Sequence, residues 1–471
     1  MMRLTHIFIA YLLIASTTVT GYANQLDEVS VTINATRYIG QHNQSLSDVH
    51  EFLGIPFAQP PIDSLRWQAP QKITQIASEY RSQEFKPACY QDRYNPEWYE
   101  KVASLFGQNI RMDLPPVSED CLYLNIWKPA DVKHDDLAVI VWIHGGSNKA
   151  GWSYEPNYLG HQLAQTGNVI VVSIAYRLGV FGFFPHPELQ QRDVSPNFAL
   201  LDQIMALEWI HEHISAFGGD PNNVTLMGES AGAANIGYLM SIPRAKGLFK
   251  RAISQSGGFQ MMASSELRDD LVLGHSLSHH FNKDLSQLKT LSSESVWQAA
   301  SQIAPNYDYR ALIDGDLFTE SAPTAFKKYA AVDLLIGFNQ HEFYMYVDPA
   351  ISQAHFALPI TDPQNKAQLD KKYQSFSNHI EAQDWLDTFL YMSCPSAMMA
   401  KLVGENGKQA WMYRFDRIRA GASKIKAYHG AEIPYVFNTH DNWLPTSAID
   451  IQLTETMMNA WIRFAQSGNP N

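Results

Sequence analysis

Residues 217–232, FGGDPNNVTLMGESAG, narrow what this chain can fold into more than any other stretch. Val224, Leu226 and Met227 form a short apolar run that reads as a buried strand ending at Gly228. Ala231, Gly232, Ala233 and Ala234 then open a helix-compatible stretch, with Ser230 between the two in the pattern Gly228-x-Ser230-x-Gly232. A strand that turns this sharply into a helix holds the serine in a strained backbone conformation, so its neighbours must be small. The hydroxyl is thereby presented at the carboxyl end of a sheet. The next N–H lies near a helix N-terminus, where negative charge is favoured. The bland alternative is a tight turn that happens to contain serine.

The flanking sequence weighs against that alternative. Ala138 to Ile143 and Val169 to Ile174 are rich in β-branched residues and do not alternate with polar ones, as expected of strands covered on both faces. Leu200, Ile204, Leu207 and Ile214 recur at helical spacing, with Trp209 and Ile210 widening the stripe. Further strand-like runs are Arg251 to Ser256, Val332 to Ile336 and Trp411 to Phe415. Strand and helix in repeated alternation predict an α/β protein with a mostly parallel sheet and helices on both faces. Residues 260–330 and 345–405 read as helical, loop-rich insertions without a linker composition.

The first residues carry a different signal. Arg3 is followed by the apolar run Ile7 to Ala15, and Gly21-Tyr22-Ala23 supplies small residues for cleavage after Ala23. A membrane span needs about 20 apolar residues, so residues 1–23 are expected to be a secretory signal peptide. The mature chain is then secreted or periplasmic, with no stable membrane insertion. The 47 acidic residues outnumber 35 basic ones, giving a net charge of −12, and leave no basic footprint for nucleic acid. Three cysteines, Cys89, Cys121 and Cys394, leave at least one without an internal partner. Spacing allows a Cys89–Cys121 bridge and equally three free thiols. Sequons occur at Asn34, Asn43 and Asn223, the last too close to the elbow strand to be a good acceptor. No oligomeric state is legible.

A serine becomes a nucleophile only with a base, a third group that orients the base, and N–H donors for the developing oxyanion. His144-Gly145-Gly146-Ser147 follows the strand-like run 138–143 and offers a Gly-rich turn for those donors. In the hydrolase chain order, acid and histidine lie downstream of the serine. Glu342 and His429 each follow a strand-like run, with His341, Asp316 and Asp333 as competitors. His211-Glu212-His213 looks like a metal fragment, but residues two apart on a helix do not face each other. No metal or other cofactor is implied.

Residues 217–232 resemble the active-site signature of the type-B carboxylesterase/cholinesterase family, and Glu119 to Pro129 (EDCLYLNIWKP) its second signature. Phe52 to Ala58, Tyr176 to Gly179, Asn197 to Gln203 and Trp461 to Asn471 are similar to family segments too. The resemblance implies an α/β-hydrolase fold with a single domain over residues 24–471, and a serine carboxylesterase acting on a small-molecule ester. It implies a triad of Ser230, Glu342 and His429, oxyanion donors from Gly146, Ser147 and Ala231, and a Cys89–Cys121 disulfide. Ser147 departs from the family, which usually has a third glycine there. A lipase, or a non-catalytic adhesion relative, are the alternatives, although the latter lacks the nucleophile. Choline-selective members carry a tryptophan upstream of the second signature. Gly107 to Leu114 has no aromatic residue, so neutral esters are expected to be hydrolysed at least as well as choline esters.

Overall fold

The computed structural model describes residues 27–43, 48–74, 76–131, 136–258, 265–266, 270–348 and 362–471; the predicted signal peptide and its cleavage site lie outside them. Ten strands form the path of the main sheet. In chain order they are β1 (Asp27–Ile33), β2 (Thr36–Asn43), β3 (Val49–Pro56), β4 (Tyr123–Pro129) and β5 (Leu137–Ile143), followed by β6 (Ile170–Ile174), β7 (Gly219–Glu229), β8 (Arg251–Gln255), β9 (Asp333–Asn339) and β10 (Ala410–Phe415). Across the sheet they run β1-β2-β3-β4-β6-β5-β7-β8-β9-β10, and Glu79–Arg81 pairs beside β2 as an eleventh strand. From β6 to β10 every pairing is parallel, whereas β1 to β4 are antiparallel and β4 runs antiparallel to β6.

The uninterrupted apolar runs of the centre have a simple cause. Val139, Val141 and Ile143 of β5 enter one core, while Ile140 and Trp142 enter a second core on the opposite face. A strand with both faces covered has no polar side to write into its sequence. One cover is α2 (Phe198–His213), whose residues from Phe198 to Leu207 are all buried, as expected of a helix apolar nearly all round. On the other face lies α4 (Ala448–Ser467), whose Trp461 and Phe464 pack on the second core. The buried pair Arg177–Asp202, joined by Nε and Nη2 contacts of 2.8 and 2.6 Å, ties α2 to the segment after β6.

Parallel register puts the strand ends in a row. Gly228 lies level with Ile143 on one side and Ser254 on the other, and Ser254 lies level with Ile336. The segments that leave these carboxyl ends therefore converge, as in other open α/β sheets.

The Cys89–Cys121 bridge is present, and Cys394 is free and exposed. It spans 32 positions and closes the loop that carries α1 (Tyr94–Leu105). Asn223 lies within β7, and its side-chain oxygen accepts from Arg251 Nη1 at 2.6 Å. Loop-closure entropy for such a span gives about 3–4 kcal/mol. Reduction should therefore lower Tm, and non-reducing peptide mapping should recover Cys89 linked to Cys121 with Cys394 alkylated; a peptide linking Cys394 would contradict it.

Candidate active site

One residue separates strand from helix at the elbow. β7 ends at Glu229 and α3 (Ala231–Ser241) begins at Ala231, leaving Ser230 at φ 54°, ψ −124°. Two backbone hydrogen bonds of 2.9 Å hold it there: its N–H donates to Gln255 O, and its carbonyl accepts from Ala234 N–H. A non-glycine residue in such a region stores about 1–3 kcal/mol of strain. The flanking glycines have a steric cause. A Cβ on Gly232 would lie 2.0 Å from the Ile143 carbonyl oxygen, and one on Gly228 would lie 2.7 Å from it.

The turn after β5 faces this elbow. Gly146, Ser147 and Asn148 have φ of 101°, 56° and 55°. Among the described residues, none of the N–H groups of Gly146, Ser147 and Ala231 has an acceptor. Left-handed backbone at Ser147 is the reason a glycine is favoured there, and serine occupies it at a cost. The turn is braced from behind. Asn148 Nδ2 donates to Tyr309 O at 2.8 Å, and Asn148 Oδ1 accepts from Asn235 Nδ2 at 2.8 Å. Gln91 donates to Gly151 O at 2.7 Å and accepts from Gly151 N–H at 2.8 Å. His144 stacks on Tyr176, and burial lowers its pKa to about 4, so it is neutral and structural.

Glu342 and His429 meet. The Nδ1 of His429 lies 2.6 Å from Glu342 Oε2, while Glu342 Oε1 accepts from Ser256 Oγ and Asn339 N–H, each at 2.6 Å. Both carboxylate oxygens are thus engaged, and Nδ1 of the imidazole is held by one of them. The competitors are elsewhere. Asp333 accepts from Gln409 N–H at the opening end of β9, Asp316 N–H donates to Asp314 in an exposed turn, and burial lowers His341 to about 4. Ser230 and His429 line one cavity of about 100 Å³ with Gly146 and Ser147. No hydrogen bond joins Ser230 Oγ to His429 among the described residues; His429 Nε2 instead lies 3.2 Å from Glu229 Oε1.

The carboxylate cluster around the imidazole is absent from the sequence reading. Burial acts against the His429 cation, yet the carboxylates of Glu229 and Glu342 outweigh it and raise the pKa well above the imidazole value. Burial also raises Glu229; the His429 cation opposes the rise, and Glu432, Glu342 and Glu155 add to it. Glu155 is pushed up to about 7 by burial and accepts from Asn95 Nδ2 at 2.8 Å. Glu432 accepts from Gln255 Nε2 at 2.9 Å and Asn339 Nδ2 at 2.6 Å. The one sequence signal was Glu229 itself, inside the elbow pattern.

Aromatic side chains form the outer wall. Tyr94, Trp98 and Tyr99 come from α1, and Tyr346 from the loop after Glu342. Trp98 Nε1–H donates to Tyr346 Oη at 2.6 Å, which joins the two walls. Gly107 to Leu114 contributes nothing to this lining. The expectation about choline esters was therefore drawn from a segment that does not face the cavity, and the aromatic residues that do face it remove its ground.

A model of the carboxylesterase family matches residues 27–471. The chain is 33% identical over 459 residues to the para-nitrobenzyl esterase of Bacillus subtilis (strain 168), covering 93% of this chain and 90% of that one. It is 31% identical over 476 residues to the acetylcholinesterase of Bungarus fasciatus, covering 90% and 75% respectively. Among solved structures, a pnb esterase superposes with a TM-score of 0.78 at 31% identity, covering 94% of this chain and 91% of the other. A carboxylesterase of Geobacillus stearothermophilus superposes with a TM-score of 0.78 at 27% identity over the same shares, 94% and 91%. The chain belongs to the carboxylesterase family, with the α/β-hydrolase fold. It is a carboxylic-ester hydrolase.

An imidazole accepts a proton only when neutral, so an esterase whose rate depends on neutral His429 should become faster as pH rises through the His429 pKa. Replacing the facing carboxylate, Glu229→Gln, removes a charge that favours the cation and should shift the ascending limb of kcat/KM to lower pH by about one unit or more. A limb that stays in place in a pH profile of the two proteins would show that Glu229 does not set it.

Proposed function

We propose that this hydrolase works through Ser230 as nucleophile, His429 as general base and Glu342 as the group that orients the imidazole. The observation that carries the proposal is the doubly anchored Glu342 carboxylate on His429 Nδ1, which leaves Nε2 on the side of the cavity that Ser230 lines. Ser230 Oγ attacks the ester carbonyl carbon while its proton passes to Nε2. The carbonyl oxygen becomes an oxyanion and takes the free N–H groups of Gly146, Ser147 and Ala231. As the tetrahedral intermediate collapses, His429 returns the proton to the leaving alcohol. Water then repeats the cycle on the acyl-enzyme. In the unliganded state Nε2 rests beside Glu229, and it turns to Ser230 as substrate enters, in keeping with hydrogen bonds that tighten only in the complex.

The same proposal places the enzyme outside the cytoplasm. Two observations support it: the predicted leader at residues 1–23, and a disulfide of the kind that persists in oxidising compartments.

Ser230→Ala should lose hydrolysis of p-nitrophenyl esters by a factor on the order of 10⁴ or more, and lose covalent labelling by a fluorophosphonate, with its Tm unchanged. Glu342→Gln should lose kcat by a factor on the order of 10²–10⁴. Undiminished turnover in Ser230→Ala, or a label mapped to another peptide, would overturn the assignment.

A further inference from the structure

A second hollow lies at the opposite edge of the sheet from Ser230, where β8, β9 and β10 begin. Its volume is about 270 Å³, close to the ~300 Å³ lower bound of small-molecule sites. Leu239 and Met240 from the last turn of α3 form part of its floor, with Ile242 and Phe249 beyond them. Lys246, Lys250 and Lys408, all exposed, line it as well, and no acidic residue does.

Lys328 and Lys401, on neighbouring helices, pair with Glu320 and Glu405 at 3.4 and 3.8 Å. Lys246, Lys250 and Lys408 have no ion-pair partner among the described residues. In a chain with 47 acidic residues and a net charge of −12, three unpaired lysines lining one hollow with an apolar floor complement an anion with an apolar tail.

We propose that this hollow binds an amphipathic monocarboxylate, its carboxylate on the three lysines and its alkyl chain across Leu239, Met240 and Phe249. At roughly 30 Å³ per water-sized group, the space takes about nine such groups, which suits a medium-chain acid. Ester hydrolysis releases acids of this chemical class, so the enzyme generates candidate occupants. The floor belongs to the helix that starts after Ser230, roughly 15 Å away at 1.5 Å per residue, so the site is separate from the catalytic cavity.

Isothermal titration of decanoate into fluorophosphonate-treated protein tests this, because the treated protein has its catalytic cavity filled. One decanoate should bind per chain, and decyltrimethylammonium should not. Lys246→Gln/Lys250→Gln/Lys408→Gln should bind decanoate about tenfold more weakly, from three partly solvated contacts. Ala331→Trp, which fills the hollow from an exposed position without changing charge, should weaken it too. Both variants should keep wild-type ester hydrolysis, which shows that they are folded. No saturable binding, equal affinity in the lysine variant, or equal binding of the ammonium amphiphile would overturn the proposal. A protein that takes no fluorophosphonate label counts instead against the assignment of Ser230, and the wild-type and lysine-variant titrations still decide binding at the hollow.

Discussion

The catalytic end of this molecule depends on how closely one helix approaches one carbonyl. α3 leaves Ser230 so near to β5 that any side chain at Gly232 would strike the Ile143 oxygen. That approach presents the serine beside the turn 144–147, whose Gly146 and Ser147 line the same cavity as Ser230. The strain at Ser230 persists because its N–H and carbonyl are both committed, one to the neighbouring strand and one to the helix.

Electrostatics at the site are unusual in sign and density. Glu155, Glu229, Glu342 and Glu432 are all buried around a single imidazole. Glu155, Glu342 and Glu432 are each supplied with hydrogen-bond donors, whereas Glu229 Oε1 lies 3.2 Å from His429 Nε2 with no hydrogen bond among the described residues. A buried acceptor left in that condition is costly in a low-dielectric interior, so the site gains from any cation that forms beside it. The imidazolium of His429, whose pKa the surrounding carboxylates raise, is such a cation.

The sequence was most legible where packing leaves a strong imprint. The runs 138–143 and 169–174 show as strands because both faces are buried, and they match β5 and β6 to within a residue. The antiparallel strands β1 to β3 escaped notice because their polar residues are engaged by partners far along the chain. Glu51, for example, pairs with His161. Glu342 and His429 stood out by place and family resemblance, and the structure joins them by a hydrogen bond. Ser256, Asn339 and Glu155 did not, because nothing marks one serine, asparagine or glutamate among many until tertiary contacts bury it. Ser147 was visible as a departure, but its left-handed backbone was not.

The bond between Trp98 and Tyr346 spans two loops that owe nothing to the sheet. One is closed by the Cys89–Cys121 bridge and the other follows Glu342. Ser230 and Glu342 follow strand ends closely, whereas the aromatic residues Tyr94, Trp98 and Tyr346 that line the cavity hang from these loops. Inheritance can act on the two independently. Either wall can therefore be lengthened, shortened or reclothed through its own loop without touching the hydrogen bonds that hold Ser230, Glu342 and His429.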